Sequence, residues 1–326
     1  MLETIREYAG ERLEESGEID DLRCRHAEHL VAFAEAMEPE LLGSDPARAL
    51  DRVHADIDNI RAALGWARDT TQSALELRLA YGLRHYWMDR GLVGEGRDWL
   101  EGAAVRGPVD MAWRRAMVLG AASGCAFRQG DLAEAQRLAE GQLKIARPLG
   151  GSTLAAGLSN LAIALTEDGE IERPRALHEE AVAVARETGP PRSLAIGLAN
   201  LADLEATAGD FPRALGACRE ALVAFANAED AQGEAYAIIA VGRYEIELGR
   251  MDGGLAYARE GPLRSYELGN PTLVATALLS LADAARFQTH HARGARLLGA
   301  ASSILEETGE TFKRDRSKQR GRRGKR

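Results

Sequence analysis

Six positions recur along this chain at an almost fixed interval. Gly91, Gly130, Gly169, Gly209, Gly249 and Thr289 are separated by 39, 39, 40, 40 and 40 residues. Around the last four the text itself realigns, with Ala155, Ala195, Ala235 and Ala275 each opening a unit 40 residues after the one before. A period of that length marks a stack of supersecondary units, none of which buries its apolar face alone. Such stacks present long surfaces and mostly bind other molecules. The expectation is therefore an interaction protein and not an enzyme.

The unit opened by Ala195 shows the local grammar. Leu198, Leu201, Ala202 and Leu204 share one side of a helix that ends near Gly209, where a left-handed terminal residue costs least without a side chain. Asp210 then caps a second helix, and Pro212 sits in its first turn, where no N–H is needed. That helix buries Ala214, Leu215, Cys218, Ala221, Leu222 and Phe225, and Asp230 caps the next unit. Gly189-Pro190-Pro191 and Asn270-Pro271 punctuate other boundaries in the same way. Hydrophobic residues make up 45% of the chain but aromatics only 5%, so the core leans on Ala and Leu, and no stretch alternates as a strand would.

Small residues decide which helical repeat this is. Seven residues before each turn point stand Ser123, Ala162, Ala202, Gly242 and Ala282, with Arg84 the exception. Five after it stand Gly96, Ala135, Pro174, Ala214, Gly254 and Gly294. Twelve after it stand Ala103, Ala181, Ala221, Gly261 and Ala301, with Gln142 the exception. Small side chains at three fixed points let neighbouring helices approach closely, and this spacing resembles the tetratricopeptide repeat. The predicted fold is all-α: a tetratricopeptide-type α-solenoid of antiparallel helix pairs over residues 52–308, in about six units of period 39–40. Residues 1–50 read as a helical lead-in that caps the stack, with Leu2, Ile5, Tyr8, Ala9 and Leu13 in one apolar stripe. Leu22, Ala27, Leu30, Val31, Ala34 and Met37 form a second stripe. Asp45-Pro46 begins one long helix carrying Val53, Ile57, Ile60 and Leu64 inward. Residues 309–326 read as a basic, disordered tail.

Several segments resemble a known class of proteins. Leu2-Glu3-Thr4-Ile5-Arg6-Glu7-Tyr8-Ala9 followed by Arg25-His26 looks like the end of a winged-helix module. Asp58-Asn59-Ile60-Arg61-Ala62-Ala63-Leu64 with Trp66, then Arg90-Gly91 and Gly96-Arg97-Asp98-Trp99-Leu100-Glu101, continue the likeness, and Ala295-Arg296-Leu297-Leu298-Gly299-Ala300-Ala301 closes it. Together they are similar to the C-terminal half of bacterial signal-transduction ATPases with numerous domains (STAND), of the LuxR-like or AfsR-like kind. The resemblance implies a P-loop domain and a winged helix ahead of a tetratricopeptide sensor. It also implies a role in transcriptional regulation. The sequence itself contains no Gly-x-x-x-x-Gly-Lys-Ser/Thr, so ATP-driven switching is not expected of these residues.

Catalytic constellations are absent from the reading. His26, His29, His54, His85, His178, His290 and His291 lack neighbours at metal-ligand spacing, and the expected metal and cofactor complement is none. Ser123-Gly124 and Gly157-Leu158-Ser159 lack the strand–Ser–helix setting of a nucleophile elbow. The carboxylate pairs Glu14-Glu15, Glu179-Glu180 and Glu306-Glu307 read as solvated helix faces. The three cysteines are scattered, the N-terminus does not read as a signal peptide, and no apolar run is long enough to span a bilayer. The expected setting is cytoplasmic, without membrane contact.

Binding residues are expected on the first helix of each pair, which lines the inner surface of a curved stack. Asn160, Asn200 and Ser280 occupy one equivalent position there; Asp203, Arg243 and Asp283 occupy another, three residues on. An Asn amide pairs with an extended peptide through one donor and one acceptor, although both Asn residues could instead bond to neighbouring helices. The alternation of Asp, Arg and Asp argues against a simple basic clamp for an acidic tail. From Lys313 to Arg326 the chain holds nine Lys or Arg against one Asp, a formal +8 that leaves −17 for the remainder of the net −9. Arg320, Arg322, Arg323, Lys325 and Arg326 read either as a nucleic-acid arm without stacking aromatics or as the product of an altered reading frame. The expected partner is a protein or peptide, or a small-molecule inducer, with DNA reached only indirectly or through the tail.

Overall fold

The computed structural model describes residues 8, 12, 15–43, 46–166 and 170–307. The first apolar stripe (apart from Tyr8), Asp45, Gly169 and the basic tail lie outside them. Among the described residues every regular element is helical. The chain is an all-α protein built from antiparallel helix pairs of the tetratricopeptide type. It divides into two compact units, residues 1–146 and 147–326.

The first unit contains α1 (Ile19–Leu41), α2 (Pro46–Ala55), α3 (Ile57–Asp69), α4 (Ser73–Asp89), α5 (Val93–Arg106), a 3-10 turn (Val109–Met111), α6 (Ala112–Gln129) and α7 (Leu132–Ala146). Its pairs α4–α5 and α6–α7 turn at Gly91 and Gly130, and α1 packs on α3 and α4. All four tryptophans of the chain (Trp66, Trp87, Trp99 and Trp113) belong to this unit. The single long helix expected from Pro46 is two. At Asp56 the backbone leaves helical geometry (φ −104°, ψ 9°), and its N–H donates to the Val53 carbonyl at 3.2 Å, closing the turn early. An Asp there competes with the helical ladder and bonds instead to the Asn59 side chain at 3.3 Å. Val53 and Ile57 are nevertheless both buried. Leu22 leaves the predicted stripe of α1 and is exposed, as is Tyr8, whereas Ala27, Leu30, Val31, Ala34 and Met37 are buried.

The second unit contains four pairs: α8 (Gly151–Thr166) with α9 (Glu172–Thr188), α10 (Pro191–Ala208) with α11 (Phe211–Asn227), α12 (Ala231–Glu247) with α13 (Met251–Glu267), and α14 (Pro271–Phe287) with α15 (His291–Glu307). The expected caps form: Asp210, Asp230 and Asn270 accept from the N–H groups of Arg213, Gly233 and Leu273. Each second helix packs on its own first helix and on the next pair's first helix, and successive first helices also touch.

The sequence period has a backbone meaning. Gly91, Gly130, Gly209, Gly249 and Thr289 all adopt left-handed φ, between 60° and 84°. Glycine enters that region freely, while a β-branched residue is disfavoured there. Thr289→Gly is therefore expected to stabilise the last pair by about 1 kcal/mol. Differential scanning calorimetry checks it; a lower midpoint would mean that Thr289 contributes more through its hydroxyl than its backbone costs.

Small residues bring the helices together as anticipated. A Cβ at Gly254 would lie 2.5 Å from Ile246 Cγ1 and 2.9 Å from the Gly242 carbonyl oxygen, so α12 and α13 cross nearly backbone to backbone. Buried ion pairs, which the spacing did not announce, tie the layers further. Glu205 of α10, 1% exposed, accepts two hydrogen bonds from Arg175 of α9 at 2.8 and 2.9 Å and lies 3.4 Å from Arg213 of α11. Forty residues on, the buried Glu245 of α12 meets Arg219 of α11 and, at 3.4 Å, Arg250. Within the first unit the buried Glu76 is held by Arg106.

Candidate binding recess on the first helices

The first helices of the second unit are Ala-rich, so the few polar residues on their free faces stand out. Three of these helices, α10, α12 and α14, enclose an open recess of about 720 Å³. Asp203, Thr207 and Gly209 line it from the α10 side, Tyr236, Arg243 and Glu247 from α12, and Thr276, Ser280 and Asp283 from α14. Phe211 contributes an apolar edge.

Asp203 anchors a polar cluster at the wall. It accepts the hydroxyl of Tyr236 and, at 2.9 Å, that of Tyr244, and the Arg243 guanidinium stands 3.5 Å away. Arg243 also donates to the Tyr244 hydroxyl at 3.1 Å and lies over that ring. Burial first, and then the Asp203 charge, push both tyrosine hydroxyls upward, so they remain protonated donors at neutral pH. Burial opposes the charge on Arg243, but Tyr244 and Asp203 outweigh it and hold the guanidinium more firmly protonated. On the facing wall, Arg286 lies 3.4 Å from Asp283 and 3.9 Å from Glu247. The recess thus counts three carboxylates on its lining against one arginine.

Four of the residues singled out in the sequence, Asp203, Arg243, Ser280 and Asp283, meet in this recess. Asn160 and Asn200 do not. They line a second hollow of about 130 Å³ between α8 and α10, with Ser159, Ser193 and Ile196 on its walls. Ser280 is almost fully buried, and its hydroxyl points back to the Thr276 carbonyl at 3.4 Å. Tyr236, Glu247 and Phe211 escaped the sequence reading. Tyr236 stands seven residues before Arg243, two helical turns along one face, and that spacing was the available signal. Arg320, Arg322, Arg323, Lys325 and Arg326 lie outside the described residues.

Other chemistry is sparse. No cluster of three or more His, Cys, Asp or Glu suited to a metal occurs among the described residues, and no described helix is long and apolar enough to cross a membrane. Cys125 and Cys218 are buried, and desolvation raises their thiols to about 11 and about 12, far from a reactive thiolate.

No family model matches the chain. A stretch of 99 residues, 30% of the chain, is 36% identical to an HTH-type transcriptional regulator of Mycobacterium bovis and to its namesakes in two strains of Mycobacterium tuberculosis. That stretch covers 11% of the length of each of those relatives. Among solved structures, the apo form of RapI superposes with a TM-score of 0.65 at 13% identity, over 85% of this chain and 97% of that one. A Rap protein complexed with Competence and Sporulation Factor gives 0.58 at 13%, over 89% and 99%. A STAND protein with a tetratricopeptide repeat sensor, from Pyrococcus horikoshii, gives 0.57 at 12%, over 94% of this chain and 52% of that chain. At such identities the likeness is one of fold: helical repeat stacks of the kind found in Rap proteins and in the sensor of a STAND protein.

Proposed function

We propose that this chain is a non-catalytic sensor module of a bacterial ATPase-type transcriptional regulator of the LuxR-like or AfsR-like kind, and that its recess on α10, α12 and α14 holds a segment of peptide or protein. The observation that carries the reading is the convergence of Asp203, Arg243, Glu247 and Asp283 on one open hollow of about 720 Å³ on the first-helix face. A groove of that volume takes a few residues of extended chain. The protonated Tyr236 hydroxyl and Arg243 fix Asp203 in place. Asp203, Glu247 and Asp283 line the recess beside the single Arg243, so a bound segment that brings a Lys or Arg side chain complements the charge of its walls. The 99-residue likeness to mycobacterial HTH-type regulators and the fold shared with a STAND sensor support the regulatory setting.

Panning a random peptide library on the full chain tests the reading. Recovered sequences are expected to be rich in Lys or Arg, and the pair Glu247→Gln with Asp283→Asn is expected to weaken them about tenfold, near 1.4 kcal/mol. Recovery of no peptide, or of peptides that bind the double variant equally well while its circular dichroism is unchanged, would discard the recess as the ligand site.

A further inference from the structure

The side-chain donors that line the recess on α10, α12 and α14 are spent within the fold, with one exception among the described residues. Thr207 donates to the Asp203 carbonyl at 2.8 Å, Thr276 to that of Thr272 at 2.9 Å, and Ser280 to that of Thr276 at 3.4 Å. The Tyr236 hydroxyl goes to the Asp203 carboxylate. Arg243 differs. Its contacts with Asp203 and with the Tyr244 hydroxyl both run through Nη2. Nε and Nη1 donate to no acceptor among the described residues, and neither is buried. The side chain is 39% exposed.

Arg243 is also lightly engaged by the standard of this chain. Arg61, Arg97, Arg175 and Arg264 each hold two or more carboxylates within 3.9 Å. Arg243 meets one, Asp203, at 3.5 Å, and both oxygens of that carboxylate already accept tyrosine hydroxyls. A guanidinium carries five N–H donors, so one with donors to spare in the wall of a hollow is a receptor for a further anion.

We infer that Arg243 takes a carboxylate of the bound segment, the side chain of an Asp or Glu two positions from the Lys or Arg that Glu247 and Asp283 receive. The inference rests on the recess being a peptide site. Arg243 and Glu247 stand four residues apart on one face of α12, about 6 Å. Side chains two positions apart on one face of an extended chain are spaced by about 6.6 Å. Acid then meets base at both points, whereas a segment of one sign satisfies one and is repelled at the other. The source is a residue within the segment and not a chain end, because the recess is open and runs across three helices.

Retention of the full chain on bead-bound heptapeptide pools tests the proposal. The pools are blocked at both ends, carry Glu-x-Arg, Gln-x-Arg or Glu-x-Gln at the centre in either order, and hold only Ala, Ser and Thr elsewhere. One further Gln-x-Arg pool has a free C-terminus. The wild-type chain is expected to bind the Glu-x-Arg pool about tenfold more tightly than the blocked Gln-x-Arg pool. Arg243→Gln brings that ratio to about one, while the preference for Glu-x-Arg over Glu-x-Gln persists. Each ratio compares two pools on one protein, so a general loosening of the fold does not imitate it. Equal retention of Glu-x-Arg and Gln-x-Arg by wild type, beside a preference for Arg over Gln, overturns the inference and leaves the peptide site standing. No preference among the pools discards the site itself. A carboxylate preference that survives Arg243→Gln, or one shown only by the free C-terminus, assigns that group elsewhere and overturns the inference as well.

Discussion

Replacing Arg175 by Met is expected to destabilise the second unit by about 3 kcal/mol, the lower end of the cost of leaving a buried charge without its partner. Glu205 is 1% exposed and takes both of its short hydrogen bonds from Arg175. With Arg175 gone, only Arg213 remains, at 3.4 Å, half exposed and already bonded to Glu179 at 2.7 Å. The carboxylate would then sit in a nearly dry layer between α9, α10 and α11. Removing the carboxylate as well, with Arg175→Met and Glu205→Leu together, is expected to recover most of the loss, because a packed apolar pair replaces a buried ionic one at little net cost. Urea unfolding followed by far-ultraviolet circular dichroism reads both variants. A single substitution that costs less than about 0.5 kcal/mol would place the pair among ordinary surface bridges.

Acid is expected to weaken the same unit through His178. This residue of α9 is 1% exposed, and its Nδ1 has no hydrogen-bond partner among the described residues. Desolvation lowers its pKa from the ordinary 6.5 to about 4. The folded form therefore holds fewer protons than the unfolded form between those two values, and stability falls as the pH drops through that window. The full loss at the bottom of the window corresponds to roughly 3 kcal/mol. His178→Leu places at this position the residue that Leu100 supplies in the first unit, and it is expected to abolish that part of the pH dependence. Carboxylates also titrate near pH 4, so the readout is the difference between the two proteins in unfolding midpoints measured at pH 7 and pH 5. Equal slopes with pH in wild type and variant would refute the assignment.

These two effects mark where sequence reasoning stopped. Helix ends, caps and close crossings were legible because each rests on local chemistry: Gly at a left-handed φ, Asp or Asn before a helix, small residues at three fixed points. The exceptions to that pattern were informative only with neighbours in view. Arg84 stands where other units have a small residue, and it is buried against Tyr81, with its guanidinium 3.9 Å over that ring and bonded at 2.6 Å to Glu38 of α1. The lead-in helix makes room for an arginine that a repeat neighbour would exclude. Glu205 and Glu245 stand 40 residues apart like any repeat feature, but a lone Glu on an Ala-rich helix reads as solvated until the arginines of adjacent helices appear. The split of α2 from α3 followed from one residue, Asp56, whose effect on the ladder a pattern of apolar residues cannot show. At the candidate site, position along the repeat placed Asp203, Arg243, Ser280 and Asp283 on one surface. It could not reveal that Asn160 and Asn200 face a separate hollow, because that depends on how each pair is rotated against the next.

The confinement of every tryptophan to the first unit gives the molecule a built-in optical label. Selective excitation of indole reports only the surroundings of Trp66, Trp87, Trp99 and Trp113, while the second unit, with Tyr236, Tyr244, Tyr257 and Tyr266 as its tyrosines, stays dark in that channel. Emission followed beside circular dichroism therefore separates the melting of one half from that of the other in a single unlabelled sample. Any substitution in residues 147–307 that shifts the emission transition reveals cooperativity passing from one unit to the other.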